Sequence, residues 1–169
     1  MTRTLLGFVA CPTLLLLAGS ARAATFTVTN TNDTGAGSLR QAVADANGTP
    51  GDDEIVFGAS LAGQTIVLLT NDATGTPLFG STALFVSEAA ASLTVQGSAA
   101  PGLTISGQSA RRIFAVQTGA TLRLENLTLT NGRIDGGAGG DGDGAGGGAA
   151  GMGGGVYAHS GSTLLVLGC

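Results

Sequence analysis

A handful of groups in this 169-residue chain could do chemistry, and they are mostly carboxylates. Asp52-Asp53-Glu54 is the densest acidic cluster, and adjacent carboxylates are the oxygen ligands that a hard cation such as Ca²⁺ takes. Lying just before a strand, it reads more simply as a solvated turn. The run at 136–144, GGAGGDGDG, fits the G-G-x-G-x-D part of a nonapeptide that binds Ca²⁺ between stacked turns, with Asp135, Asp141 and Asp143 as oxygen donors. The next anchor position of that repeat should be a large apolar residue and is Asp143 instead. The run also occurs once, so an extruded Gly/Ala loop is the preferred reading. Arg111-Arg112 could grip a carboxylate. Neighbours in a strand face opposite sides, so only one can address a given groove, and a polar corner is the simpler reading.

His159 is the single histidine, with no Cys or second His to share a metal and no Ser/Asp partner recognisable by spacing. It reads as a surface residue just after a strand. Glycoside hydrolysis needs two carboxylates flanking one bond. Only Glu88 and Glu125 fall in or beside the patterned segments, at unmatched positions. Asn30, Asn32, Asn126 and Asn131 sit at strand ends, where Asn tolerates tight turns. The sequence therefore assigns no catalytic, cofactor-binding or metal-binding residue and implies no cofactor.

The elements that would position any such group are strands. One apolar pattern recurs three times in 83–168, in which an apolar residue is followed eight positions later by Leu and two further on by Val or Leu. The copies are Phe85/Leu93/Val95, Phe114/Leu122/Leu124 and Val156/Leu164/Val166. The first two lie 29 residues apart and the last two 42, the excess coinciding with a Gly-rich insertion near 135–151. Recurrence at such a period, with alternating strand patterning in each copy, marks a stacked β architecture. Strands are predicted at 25–29, 54–57, 64–69, 83–86, 92–96, 103–106, 113–116, 121–130, 155–158 and 163–167.

One helix is predicted. Ser38 and Gln41 form the two halves of a capping box, and Leu39, Ala42, Val43 and Ala46 make one apolar stripe. Asn47-Gly48 ends it with residues that tolerate a left-handed conformation, and Pro50 forbids resumption. A sandwich has no use for this helix. At the open end of a solenoid it buries its stripe and blocks further strand pairing. The expected fold is thus all-β, a right-handed parallel β-helix with a short amino-terminal amphipathic capping helix. Its interior is expected to hold Ile66, Leu84, Phe85, Val86, Leu93, Val95, Phe114, Val116, Leu122, Leu124, Leu127, Val156, Leu164 and Val166.

Residues 1–23 have the form of a secretory signal peptide: Arg3, an apolar stretch at 5–19, then the small-x-small element Ala21-Arg22-Ala23. Pro12 interrupts the stretch, which is shorter than the roughly 20 apolar residues of a membrane span. A lipid anchor on Cys11 is the minor rival, since it would strand a second apolar run after the cysteine. No transmembrane span is expected after removal of the signal. The formal net charge is −4, with no Lys, and loss of Arg3 and Arg22 makes the remainder more acidic. Such a surface argues against nucleic acid. Without Cys11 only Cys169 is left, so no internal disulfide can form. The expected organisation is a signal peptide at 1–23, a first strand and capping helix at 24–58, and β-helix coils at 59–169. The chain stops at Cys169 in or just after a strand, and truncation at that end is expected.

The opening TFTVTNTNDTGAGSLRQAVADANGTPGDDEIVF resembles the amino-terminal region of large exported bacterial proteins built on right-handed parallel β-helices, the pectate-lyase-like superfamily in the broad sense. That group includes polymorphic outer-membrane-protein-like and autotransporter-like chains. Gly37-Ser38-Leu39-Arg40-Gln41-Ala42 is similar to the C-S-L-R-E-A element that names one such domain, with Gly37 in place of Cys and Gln41 in place of Glu. The tail GGGVYAHSGSTLLVLG is similar to coils of the same group. The resemblance implies fold and export. It implies little about activity, because the group mixes adhesins, passenger domains and polysaccharide-acting enzymes. The expectation is an exported, cell-surface or extracellular, adhesin-like structural protein whose partner is an unidentified surface, glycan or protein. A polysaccharide lyase or glycosidase is the rival, and a truncated product without function of its own a third reading.

Overall fold

The computed structural model describes residues 23–87, 92–135 and 153–169. Most of the expected signal peptide and of the Gly-rich insertion, with Glu88, Asp141 and Asp143, lies outside the described residues.

Short segments separated by turns rich in Gly, Asn, Asp and Ser form β1 (Thr25–Val28), β2 (Asp53–Phe57), β3 (Thr65–Val67), β4 (Thr82–Val86), β5 (Ser92–Gln96) and β6 (Thr104–Ser106). They continue with β7 (Arg112–Val116), β8 (Thr121–Glu125), β9 (Thr128–Thr130), β10 (Val156–Ala158) and β11 (Thr163–Leu167). Helices α1 (Leu39–Asn47) and α2 (Gly75–Phe79) and a 3₁₀ turn at Ala59–Leu61 complete the described elements. The strands lie in three parallel sheets with orders β1-β2-β5-β8-β11, β3-β6-β9 and β4-β7-β10. From β3 on, the chain visits these sheets in fixed rotation; α1 lies in the connection between the paired strands β1 and β2, and after β2 each return to a sheet passes through the other two. The architecture is all-β and parallel, compatible with a β-helix.

Apolar residues stack in rows across the ladders. Leu122 is the register partner of both Leu93 and Leu164, and Leu124 of both Val95 and Val166. Ile66 pairs with Ile105 and then Leu129, while Leu84 pairs with Phe114 and then Val156. Burial alternates in β5 and β8, as a sheet with one wet face requires. By contrast β4 and β7 are buried at every position; α1 packs at the edge of β4 and α2 over its outer face, where the Phe79 ring meets Phe85.

The interior differs from the expected one at four places. Phe85 is buried outside the core cluster, with its register partner Ala115 and its ring 5.7 Å from that of Phe79 in α2. Leu84 takes the inward place instead, so the first copy spends one more residue than the others before reaching Leu93, and a one-residue slip exchanges faces. Val156 and Leu164 are half-buried and Val166 is half-exposed, since β10 and β11 are the outermost strands of their sheets. The segment predicted as one strand at 121–130 is two, broken at Asn126, whose φ of 54° turns the chain. Helix α2 was not expected. Asp72 Oδ1 accepts from the Thr74 and Gly75 amides at 2.8 and 2.7 Å, and Pro77 sits in the first turn where no amide donor is needed.

Helix α1 forms where its stripe predicts, with Leu39, Ala42, Val43 and Ala46 buried. Its capping box is one-sided: Ser38 Oγ accepts from the Gln41 amide at 3.2 Å, while the Gln41 side chain turns away to Asp45 at 2.7 Å. Gly48 closes the helix at φ −92°, without the left-handed residue expected there. The helix lies against the free edge of β4 and supplies hydrogen bonds a neighbouring strand would make. Arg40 donates to the Ala83 carbonyl, and Asn47 donates to the Phe85 carbonyl at 2.7 Å and accepts from the Ser87 amide at 2.9 Å. An open sheet edge is thereby closed by side chains.

Candidate functional site

The three carboxylates of the acidic cluster diverge. Asp52 Oδ1 accepts from the Ser92 amide and hydroxyl at 3.0 and 2.8 Å and so ties the start of β5 to the turn before β2. Glu54 faces outward beside Thr25 and Thr94. Asp53 is 2% exposed, which corrects the expected solvated turn. The cause is register, for Asp53 stands beside Leu93 in an inward row. Its Oδ1 accepts from the Ala24 amide at 2.7 Å, and its Oδ2 is the one buried side-chain oxygen among the described residues with no hydrogen-bond partner.

Arg111 and Arg112 do point apart, but toward backbone. Arg111 donates to the Leu68 carbonyl and, at 3.0 Å, to Asn71 Oδ1. Arg112 is buried, which corrects the polar corner expected for it. It donates to the Gly153 and Phe79 carbonyls at 2.8 and 2.6 Å and lies 4.8 Å from the centre of the Tyr157 ring. Burial lowers its pKa, while the charge interaction with Tyr157 raises it. His159 is half-buried among aromatic rings, 5.5 Å from Phe79 and 6.2 Å from Tyr157, and hydrogen-bonds with Thr118. Phe79, Phe85, Tyr157 and His159 thus form an aromatic cluster outside the β4-β7-β10 sheet, with Leu78 exposed beside it. Sequence reading missed this group because its members come from α2, β4, β10 and the residue after β10, and only sheet register unites them.

Two polar networks lie elsewhere. On the outer face of the five-stranded sheet Glu125 accepts from Gln96 and Arg123, and Asn126 donates to Gln96 Oε1 at 3.1 Å. A cleft of about 420 Å³ opens next to it, lined by Gly97, Ser98, Pro101, Asn126, Thr128 and Gly168. Near α1, Asp33 accepts from Arg40 at 2.7 Å and from Thr70 at 2.6 Å. Partial burial raises the Asp33 pKa, but hydrogen bonds from Arg40, Thr70 and the Leu69 backbone, with the Arg40 charge, outweigh it and hold the carboxyl below its ordinary value.

Asp135 pairs with Arg133 at 2.8 Å on the surface, and the exposed Cys169 is a free thiol. Asn126 and Asn131 adopt left-handed backbone at φ 54° and 51°, the role expected of them, while Asn30 braces the loop before α1 through Asn32 and Ala36. Among the described residues no three His, Cys, Asp or Glu side chains converge as metal ligands, and no helix is long and apolar enough to cross a membrane. No protein-family profile, curated protein or solved structure matches this chain.

Proposed function

We propose that this chain is a right-handed parallel β-helix of the pectate-lyase-like kind, exported through its first 23 residues and working outside the cell as an adhesin-like stalk. The observation that carries the reading is the in-line row Leu93–Leu122–Leu164 together with the fixed rotation of the chain among three parallel sheets. That stacking turns a short apolar repeat into a rod with long outer faces. One face carries Thr25, Glu54, Thr94 and Arg123 as a polar ladder, and another carries the aromatic cluster around Tyr157. Polar ladders and ring edges suit contact with a glycan or protein surface and need no reacting centre. The acidic charge favours neutral or basic partners over nucleic acid.

The test uses the full chain expressed in a Gram-negative host. Fractionation should find the protein outside the cytoplasm, shortened at its amino terminus, and the purified protein should be retained on insoluble polysaccharide or on whole cells without releasing sugar. A chain that stays cytoplasmic at full length defeats the export reading. Release of unsaturated oligosaccharides or new reducing ends from polygalacturonate replaces the stalk with a lyase or glycosidase.

A further inference from the structure

We propose that Ala24 is the amino terminus of the working protein and that its α-ammonium group is the missing partner of Asp53. The inference rests on the export reading above, and it gives the cleavage a structural consequence. Ala23 is exposed and closes the small-x-small element, and β1 begins at Thr25. Ala24 stands opposite Asp53. The ladder pairs Thr25 with Glu54, and the Glu54 amide donates to the Ala24 carbonyl at 2.8 Å. In the uncut chain the Ala24 nitrogen is a peptide amide with a single proton, given to Asp53 Oδ1 at 2.7 Å. Asp53 Oδ2 is left unserved at a residue 2% exposed. A carboxylate taken from water with one neutral donor is poorly compensated.

Hydrolysis of the Ala23–Ala24 bond by a peptidase that reads small-x-small sites consumes one water. Ala23 leaves with a carboxylate, and the Ala24 nitrogen becomes an amine that takes up a proton at neutral pH. The same nitrogen then offers three N–H donors and a positive charge, enough to serve both oxygens of Asp53. Charge-assisted hydrogen bonds of this kind are roughly twice as strong as neutral ones, and the pair leaves no lone buried charge. Removing the leader and locking β1 onto β2 become one event, so the first strand is fully held only in the processed protein.

The chain contains no lysine, so the α-amino group is its only primary amine, and acetylation by an activated ester reports on that one atom. The exported protein should begin at Ala24 by amino-terminal sequencing. Its labelling at neutral pH should be about tenfold slower in the native state than in urea, with the pH midpoint of labelling moved up about one unit, because pairing holds the proton on nitrogen. Asp53→Asn should return the midpoint to its urea position. Steric shielding alone would slow labelling without moving the midpoint, and that result overturns the ion pair while leaving export intact. An exported protein starting at another residue overturns the assignment of Ala24. A chain that is never exported sinks the underlying reading instead. Should Asp53→Asn fail to fold, the native and urea midpoints of the unaltered protein decide the matter.

Discussion

The Asn47 side chain donates to the Phe85 carbonyl at 2.7 Å and, through its other end, accepts from the Ser87 amide at 2.9 Å. One amide thus stands in for a peptide unit of the strand that β4 lacks on that side. Asn47→Leu keeps much of the bulk and leaves a carbonyl and an amide without partners. Each such orphan costs about 1–3 kcal/mol, so a loss of about 2–6 kcal/mol is expected in urea unfolding. Asn47→Asp retains the acceptor, loses the donor and sets a carboxylate against the Phe85 carbonyl, so it too should destabilise. A loss under about 0.5 kcal/mol for Asn47→Leu, the scale of an ordinary surface change, means that water serves this edge equally well.

Arg40 works on the same edge, donating to the Ala83 carbonyl and, at 2.8 Å, to that of Thr70, while it pairs with Asp33. The Asp33 pKa lies below its ordinary value, so its ionised form favours the folded state. This contribution is fully present above the unfolded carboxyl pKa near 4 and is lost as pH falls through the lower folded value. The stability difference between the unaltered chain and Asp33→Asn should therefore be constant from neutrality down to about pH 5 and shrink below about pH 4. A difference that stays flat to pH 2 assigns the effect of Asp33 to packing and refutes the charge account.

Register separates two phenylalanines that look equivalent in sequence. Phe114 is fully buried between Leu84 and Val156, whereas Phe85 lies under α2 on the other side of its sheet. Phe114→Ala opens the interior column and should cost about 3–5 kcal/mol. Phe85→Ala uncovers a face that α2 can partly reclose, so its cost should fall clearly below that of Phe114→Ala. Equal losses would place both rings in one interior and contradict the register.

The same pair shows which parts of the fold were legible. Alternation in 92–96 and 121–125 is readable because one face of that sheet is wet, and the stripe from Leu39 to Ala46 is readable because one side of α1 is. Strands β4 and β7 are buried on both faces, so no alternation marks which residues point inward. An equal spacing to the next Leu then stands in for register and misplaces Phe85. Side chains whose partners are distant backbone atoms were illegible for a different reason. Arg112 reaches the carbonyls of Phe79 and Gly153, and Asp53 meets Ala24, through contacts that exist only once parallel strands are aligned. Asn126 was legible in kind, as a turn residue, though not as a break between two strands.

That break sets up the tightest corner of the stack. A Cβ on Gly97 would lie 2.2 Å from the Asn126 carbonyl oxygen and 2.6 Å from Leu127 Cδ2, so the following coil can approach only a glycine. Backbone cannot yield as a flexible side chain would, because Asn126 is pinned by the Leu167 carbonyl at 2.9 Å and by its own left-handed φ. Gly97→Ala should therefore cost at least the 1–3 kcal/mol or so of an overpacked interior. Asn126→Gly removes a side chain from a backbone region that glycine enters freely, and it should be near neutral apart from the lost bond to Gln96. Asn126→Val should be the worst of the three, since a β-branched residue is strained at positive φ. Urea unfolding of the three variants gives the order. If Gly97→Ala proves neutral while Asn126→Val remains costly, the coils stand further apart here than the 2.2 Å approach requires, and turn conformation alone governs the corner.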